Sequence, residues 1–252
     1  MEPTNSKIVS LHLDGCKGGC RNASACYFLK RSIVPDSINK TAIKRILLMN
    51  GYTIHDAVCE LIDDNLILLT SEHYNITVSN KILQKFDKKK ELLAFKNQIS
   101  VSIYSYKESV CSELRDIQKM YLIKDDKTLQ FFMRNVKNER INKIHFCIDQ
   151  EYLESSGKLP EIIKTFSKKA TGIKSMDTCL SSFVVNGKCP YEKNNYVDVS
   201  ADLSVRRCPF VINGTKLNTL GNSILTAISN SLKLESNCDT CYYHKFFKEI
   251  KK

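Results

Sequence analysis

In the sequence Ile8-Val-Ser-Leu-His-Leu-Asp-Gly-Cys16, a short, mostly apolar run is followed by an Asp-Gly pair and a cysteine. The run from Ile8 to Leu13 has the length and composition of a buried strand. The Asp-Gly pair that follows favours a turn, so we expect the strand to end there. The next residues hold three cysteines around two adjacent glycines, which predicts a loop after the first strand.

Beyond this stretch, apolar runs alternate with helical patterns. Further strands are predicted at Leu66–Thr70, Ile99–Tyr104, Thr128–Met133 and Ile144–Ile148. Helices are predicted after Pro35 with Asp36 or Ser37 as the cap, from a Thr53 cap, from Asn80 to Phe95, at Glu108–Tyr121 and at Glu161–Lys169. Strands separated by helices predict an α/β protein with a parallel sheet built of right-handed crossovers. In such sheets, ligands bind at the carboxyl ends of the strands.

The pattern changes after about residue 175. Two short strands, Tyr196–Ser200 and Ser204–Arg207, are predicted to form a hairpin, and Asn218–Leu232 has the apolar stripe of a helix. We therefore divide the chain into residues 1–175, an α/β unit, and residues 176–252, a small hairpin-plus-helix extension.

Composition limits the class of protein. The chain has 252 residues, 11 of them cysteine, and 38 Lys and Arg against 27 Asp and Glu, for a net charge of +11. No apolar run approaches the ~18–20 residues of a membrane span, and the first residues do not resemble a secretion signal. We expect a cytoplasmic protein with reduced thiols and no membrane partner. Because reduced cysteines do not form disulfides, we expect that many of them bind a metal. The charge would suit an acidic substrate, a nucleic acid or an anionic cofactor.

Cys16, Cys20 and Cys26 place three thiolates within eleven residues. Three thiolates can hold a [4Fe–4S] cluster and leave one iron open to a further ligand. A structural zinc ion would instead need a fourth ligand, which His12 or a distant cysteine would have to supply. The cysteines alone leave both metals open.

This N-terminal region resembles the radical S-adenosylmethionine superfamily, whose three closely spaced cysteines follow the first strand of a partial (β/α)6 TIM-like barrel. The usual spacing is C-x3-C-x2-C with an aromatic residue before the last cysteine, whereas this chain has five residues before Cys26 and Tyr27 after it. The resemblance implies that Glu72, after the second predicted strand, contacts the methionine amino group of the cofactor, and that Tyr27 lies near its adenine. It further implies cofactor-binding positions near the ends of later strands, namely Ser102, Ser105 and Arg134.

A second group of cysteines lies in the extension and comprises Cys189, Cys208, Cys238 and Cys241. Four thiolates can close an iron–sulfur cluster or a zinc site. The stretch from Tyr196 to Phe210 resembles the hairpin of the SPASM and twitch extensions that follow radical S-adenosylmethionine barrels. Leu203 stands where those extensions have a glycine. The resemblance implies one auxiliary [4Fe–4S] cluster. The cysteines without an assigned role are Cys59, Cys111, Cys147 and Cys179.

The resemblance also implies a reaction. Reductive cleavage of S-adenosylmethionine would give a 5′-deoxyadenosyl radical that takes a hydrogen atom from a substrate, which we expect to be a peptide, a protein or another acidic molecule. The electron would come from a donor such as ferredoxin or flavodoxin. The alternative is a basic nucleic-acid-binding protein that contains zinc or an iron–sulfur cluster and is not an enzyme. That reading explains the charge and the cysteines but not the order of strands and helices.

Overall fold

The structure is a computed structural model of the chain. It describes residues 7–13, 39–58, 62, 67, 69–71, 73–103, 105, 107, 112–114, 116–138, 144–148, 152, 155, 175–176, 196–200, 203–207, 215–216 and 223–233. In this part of the chain, none of the helices combines the length and the apolar character that crossing a bilayer requires.

The described strands form one mixed, mostly parallel sheet in the order β10-β9-β8-β1-β2-β3-β4-β5-β6-β7. They are β1 (Lys7–Leu11), β2 (Tyr52–Val58), β3 (Tyr74–Ser79), β4 (Ile99–Ile103), β5 (Gln118–Ile123), β6 (Ile144–Ile148), β7 (Ser175–Met176), β8 (Tyr196–Val199), β9 (Ser204–Arg206) and β10 (Thr215–Lys216). Strands β1 to β7 are parallel and adjacent in chain order, and β8 pairs in parallel with β1. Strands β9 and β10 add antiparallel pairs at the β8 edge.

Five helices and one 3-10 turn have bounds within the described residues. They are α1 (Lys40–Met49), α2 (Asn80–Leu83), α3 (Lys89–Leu93), α4 (Asp126–Asn138), α5 (Ile224–Leu232) and the 3-10 turn Ser112–Leu114. Side-chain caps fix where the longer helices begin. The Asn39 side chain accepts a hydrogen bond from the Ala42 amide at 2.9 Å, and Asp125 accepts one from the Thr128 amide at 2.7 Å. Each cap satisfies an amide that has no partner within its own helix.

The hydrophobic core lies on one face of the sheet, which we call the helix face. Paired residues of parallel strands point to the same side, and successive residues alternate between sides. The core side chains therefore come from alternate positions, including Val9, Ile54, Ile76, Val101 and Val199. Apolar residues of α1, α2, α3 and α5 belong to the same cluster, so these helices cover this face.

A buried ion pair joins α1 to the helix face. The Lys44 ammonium lies 2.6 Å from Oδ2 of Asp56 on β2, and Tyr74 on β3 donates its hydroxyl to the same oxygen. All three residues are buried. Such a group stabilises the fold only while it is complete, because removing one partner leaves a charge buried without compensation.

Several sequence predictions are confirmed. The structure has the predicted α/β architecture, with strands at β1, β4 and β6 and a hairpin formed by β8 and β9. Helix α1 forms near its predicted position, but its cap is Asn39 rather than Asp36 or Ser37. The helix predicted to start at Asn218 starts instead at Ile224, capped by Ser223. The division of the chain at residue 175 stays a prediction, and the helix predicted at Glu161–Lys169 lies outside the described residues.

The prediction for the second strand was wrong. The stretch predicted as a helix from Thr53 is strand β2, whereas Ile67 and Leu69, within the predicted strand Leu66–Thr70, are helical. The unpredicted β3 supplies the next strand, at Tyr74–Ser79. Burial explains the error, because the alternate positions of β2 pack against α1 and β3, and that packing overrides local propensity.

For two later segments, helix and strand were predicted the wrong way round. Within the predicted helix Glu108–Tyr121, residues 112–114 form a 3-10 turn and strand β5 begins at Gln118, whereas the predicted strand Thr128–Met133 lies inside α4. Phe131 and Phe132 of α4 contact the Tyr121 ring of β5, at centroid distances of 6.0 and 5.4 Å. The helix therefore packs through aromatic residues that also favour strands. The helix predicted from Asn80 to Phe95 is two short helices, α2 and α3.

Candidate functional site

The second face of the sheet has rows of polar side chains beside apolar residues such as Ile8 and Met120, and we call it the polar face. One row crosses five neighbouring strands in register: Arg206 on β9, Asp198 on β8, Ser10 on β1, His55 on β2 and Asn75 on β3. Every member of this row can form hydrogen bonds. The row occupies the positions that alternate with the apolar core.

Polar residues continue across the centre of this face. Thr77, Ser100 and Gln118 are aligned on β3, β4 and β5, and Ser79 is aligned with Ser102. Parallel sheets are usually covered on both faces and their strands are then apolar throughout. Here only the helix face has that composition, although several polar side chains of the other face, among them Ser102, Asp198 and Arg206, are themselves buried.

The densest polar contacts lie where β1 meets the β8–β9 hairpin. Nε2 of His12 lies 2.9 Å from Oγ of Ser10 and 2.9 Å from Oδ1 of Asp198. Ser200 donates its hydroxyl to Oδ2 of Asp198 at 2.9 Å, and Nη1 of Arg206 donates to the Ser200 oxygen at 2.8 Å. We call these five residues the His12 network.

Four of the five residues of the His12 network are buried. Asp198 and Ser200 are fully buried, Ser10 is 7% exposed and Arg206 is 6% exposed. The His12 side chain, at 12%, is the most accessible of the five. The network therefore runs from a buried guanidinium to an imidazole beside the end of β1, where parallel sheets bind ligands.

The contacts of Nε2 assign the tautomer of His12. A carboxylate oxygen 2.9 Å from an unprotonated nitrogen would bring two lone pairs together, so the proton belongs on Nε2. The contact has the distance of an ion pair but is not a linear hydrogen bond, and Ser10 shares the same proton. In the neutral ring, Nδ1 then holds the lone pair.

The same geometry excludes one familiar mechanism. In a Ser-His-Asp triad, the carboxylate and the serine contact different ring nitrogens, so that the proton from serine can move to the ring while aspartate holds the other side. Here Ser10 and Asp198 both contact Nε2. Ser10 is therefore not an activated nucleophile in this arrangement.

A tight turn presents the hairpin residues of the network. The Leu203 amide donates to the Ser200 carbonyl at 2.8 Å, and the Ser200 amide donates to the Ser204 carbonyl at 3.0 Å. Leu203 has a φ of 59°, in the left-handed region that glycine adopts most readily. Leu203 is 6% exposed, so its burial offsets the backbone cost.

His55 differs from His12 in its surroundings. Its side chain reaches solvent, yet the protein around the ring desolvates it and lowers the pKa of His55 below the ordinary value of 6.5. Desolvation acts in this direction because it disfavours the charged imidazolium. His55 and Ser10 are paired across β2 and β1, so a neutral imidazole stands beside the His12 network.

The structure describes three of the predicted cofactor-binding residues. Ser102 lies on the polar face within β4, 1% exposed, and its hydroxyl has no hydrogen-bond partner among the described residues. Ser105 follows β4 and its hydroxyl accepts the Lys107 amide at 3.2 Å. Arg134 is predicted near the end of a strand, but in the structure it is exposed on α4. The apolar run before Arg134 packs as a helix, which explains the error.

The remaining predicted residues lie outside the described part of the chain. They are Cys16, Cys20, Cys26, Tyr27, Glu72, Cys189, Cys208, Cys238 and Cys241. The prediction for Glu72 depends on its following a strand, but its neighbours Ser71 and His73 come before β3. The first acidic residue after β2 in the sequence is Glu60.

The described residues alone do not form a metal site. Among them, no three His, Cys, Asp or Glu side chains are grouped so that they could hold a metal ion. The cysteines of the two groups stay the predicted donors of a metal centre. Thiolates in groups of three and four fit the chemistry of iron–sulfur clusters, and four of them also fit zinc.

Sequence reasoning considered His12 only as a zinc ligand and did not identify the other members of the network. The available signal was polar residues at alternate positions of apolar strands, as in Val-Ser-Leu-His and Val-Asp-Val-Ser. That alternation predicts one solvated face. It could not show that the two stretches are neighbours, because they are far apart in the sequence.

Comparison with known proteins adds no relative. No family model matches the chain, no curated protein matches it, and no solved structure matches its fold.

Proposed function

We propose that the protein is a radical S-adenosylmethionine enzyme whose sheet curves into a partial (β/α)6 TIM-like barrel. The observation that supports it best is the order of the strands. Strands β1 to β6 are parallel and adjacent in chain order, as in a (β/α) barrel, and one face is apolar under helices while the other is polar. In a barrel, the polar face would line the interior.

The position of the first cysteine group agrees with this proposal. Cys16 is five residues after Leu11, the last residue of β1, and the loops after barrel strands form the active sites of such folds. Cys16, Cys20 and Cys26 would hold a [4Fe–4S] cluster. When bound, that cluster and S-adenosylmethionine would supply the 5′-deoxyadenosyl radical that takes a hydrogen atom from the substrate.

The chain's own residues would bind and orient. Cys189, Cys208, Cys238 and Cys241 would hold the auxiliary [4Fe–4S] cluster of a SPASM-like or twitch-like extension. The polar face would fix the substrate by hydrogen bonds from its hydroxyl and amide groups and keep it away from bulk water. We further propose a peptide or protein substrate and an electron donor such as ferredoxin or flavodoxin.

The test is cleavage of S-adenosylmethionine. The full chain is purified without oxygen, reduced with dithionite and assayed for 5′-deoxyadenosine. Replacing Cys16, Cys20 and Cys26 together by Ala should abolish product, whereas Cys111→Ala, outside both groups, should leave it unchanged. Cleavage that survives the triple replacement would overturn the proposal. So would bound zinc without iron together with salt-sensitive nucleic-acid binding, the behaviour of the alternative class.

A pair of carboxylate variants tests the position of the methionine contact. Glu72→Gln and Glu60→Gln each remove one charge. Only the replacement of the residue that contacts the amino group should raise the concentration of S-adenosylmethionine needed for half-maximal cleavage. Because Glu60 follows β2 in the sequence and Glu72 precedes β3, we expect Glu60→Gln to have the larger effect. An effect of Glu72→Gln alone would support the original assignment.

A further inference from the structure

The turn between α1 and β2 contains an asparagine followed by a glycine, Asn50 and Gly51. Both residues are exposed. Gly51 has a φ of 75°, and the position that a Cβ would occupy has open space around it. The backbone nitrogen of a residue without a side chain is the least hindered in attacking the asparagine side chain before it. The pair therefore combines access to water with the following residue that most favours this attack.

The same two residues end α1. The Asn50 side-chain amide donates to the Ile46 carbonyl at 2.8 Å, and the Gly51 amide donates to the Leu48 carbonyl at 3.0 Å. Both carbonyls belong to the last turn of the helix, where acceptors depend on partners beyond the helix end. The positive φ after the cap is typical of glycine. The chemically reactive pair is therefore also the structural cap of α1.

We propose that Asn50 is a site of spontaneous covalent modification, at which deamidation forms isoaspartate and loosens the end of α1. The inference goes beyond the proposed radical chemistry and does not depend on either cysteine group. In the structure, a ψ of 16° at Asn50 turns the Gly51 nitrogen away from the Asn50 side chain. The attack therefore needs the last turn of α1 to open, and helix ends are where local opening costs least.

The reaction is balanced with water as the only co-reactant. The Gly51 nitrogen forms a bond to Cγ of Asn50 and loses its proton, while the bond from Cγ to the side-chain nitrogen breaks and ammonia leaves. Water then opens the resulting succinimide. Cleavage at the side-chain carbonyl gives aspartate, and cleavage at the backbone carbonyl gives isoaspartate, in which the main chain runs through Cγ. In sum, water replaces ammonia and no atom changes its oxidation state.

Both products weaken the cap. Each replaces the amide donor by a carboxylate, which cannot donate to the Ile46 carbonyl and is repelled by the negative end of the helix dipole. Isoaspartate also lengthens the main chain between α1 and β2 by a methylene group. The buried Leu47 and the Lys44–Asp56 ion pair still hold α1 to the sheet, so we expect the change in the last turn of the helix.

Ageing of the full chain tests the site. The native chain and a sample unfolded in guanidinium chloride are kept reduced at the same mildly alkaline pH, and deamidated residues are located by peptide mass mapping. In the unfolded sample, Asn50 should react as fast as Asn186 and Asn213, which also precede glycine. In the native chain, Asn50 should react about tenfold more slowly, because two hydrogen bonds keep the turn closed. Exposed Asn97, which precedes Gln98, is the internal reference.

Asn50→Gln is the matched variant. Glutamine keeps the amide, but its longer side chain forms the corresponding ring far more slowly. Hydrogen exchange of the Gly51 amide is measured in both chains before and after ageing. Ageing should speed this exchange severalfold in the native chain and leave it unchanged in the variant. Because Asn186 and Asn213 age in both chains, a difference between the chains belongs to Asn50.

The outcomes are distinct. Isoaspartate at position 50, formed faster than at Asn97 in the native chain and faster still after unfolding, supports the proposal. An Asn50 that reacts no faster than Asn97 in the native chain would overturn it, as would equal rates in the native and unfolded samples. Faster exchange in aged Asn50→Gln as well would overturn the effect on α1. The mapping of the native chain decides even if the variant fails to fold.

Discussion

Leu203 gives a sharp test of the hairpin because its backbone and its side chain make opposite demands. It has a φ of 59° and is 6% exposed, in the same core cluster as Val205 and Ile228. Leu203→Ala removes the packed side chain but keeps the left-handed backbone, and large-to-small changes of this kind cost about 2–5 kcal/mol. Leu203→Gly loses the same packing but relieves a left-handed conformation worth about 1–2 kcal/mol for other residues.

We therefore expect Leu203→Gly to be about 1 kcal/mol more stable than Leu203→Ala, although both are less stable than the native chain. The usual order is the reverse, since glycine costs about 1 kcal/mol relative to alanine within a helix. Leu47, buried in α1, provides the control, and Leu47→Gly should be less stable than Leu47→Ala. The free energies come from urea unfolding followed by circular dichroism with thiols kept reduced. A Leu203→Gly variant no more stable than Leu203→Ala would refute the turn geometry.

Three further predictions concern the two faces of the sheet. Asp56→Asn should lower the free energy of unfolding by about 3–5 kcal/mol, because it leaves the Lys44 ammonium buried without its anion. Asp116→Asn, at the surface, should change that free energy by less than about 1 kcal/mol. Equal effects of the two replacements would contradict the buried ion pair. Ser102→Ala should raise that free energy by about 1 kcal/mol, because a buried hydroxyl without a described partner is removed, and a loss of stability would show a partner for Ser102. His55 has a lowered pKa in the folded state, so the unfolded chain binds the proton first and the native chain loses stability as the pH falls below 6.5. His55→Gln should flatten urea midpoints measured through this window, and an unchanged slope would contradict the desolvation.

Simple apolar runs were sufficient to predict some of the strands. β1, β4 and β6 are short runs bounded by polar residues, and the β8–β9 hairpin has alternating residues on both sides of its turn. β2 was missed because its sequence, Tyr-Thr-Ile-His-Asp-Ala-Val, contains a charged residue in a buried position. The tertiary contacts of Asp56 with Lys44 and Tyr74 make that position acceptable in a core.

Helix α4 was mistaken for a strand for a related reason. Its run Thr-Leu-Gln-Phe-Phe-Met is rich in residues that favour strands, and packing of the two aromatic residues on Tyr121 supports the helix instead. The local signal was the cap, since Asp125 and Thr128 exchange hydrogen bonds at the start of the helix. Reading this Asp-x-x-Thr pattern as a helix start would have corrected the assignment.

The candidate site also has one part that the sequence predicts and one part that it does not. Cysteine spacing is local, so both cysteine groups can be identified from the sequence, although spacing alone does not choose between iron and zinc. The His12 network depends on register, because Ser10 and Asp198 become neighbours only when β8 pairs with β1. A sequence can predict that each strand has one polar face, but it cannot predict which strands become neighbours in the sheet.

The iron content of the anaerobically purified chain tests the central proposal most directly. Two four-iron clusters predict about eight iron atoms per chain, and about four after Cys16, Cys20 and Cys26 are replaced by Ala. Replacing Cys238 and Cys241 should likewise leave about four, with the first cluster still able to support cleavage of S-adenosylmethionine. A chain that binds zinc and no iron under these conditions would contradict the proposed function.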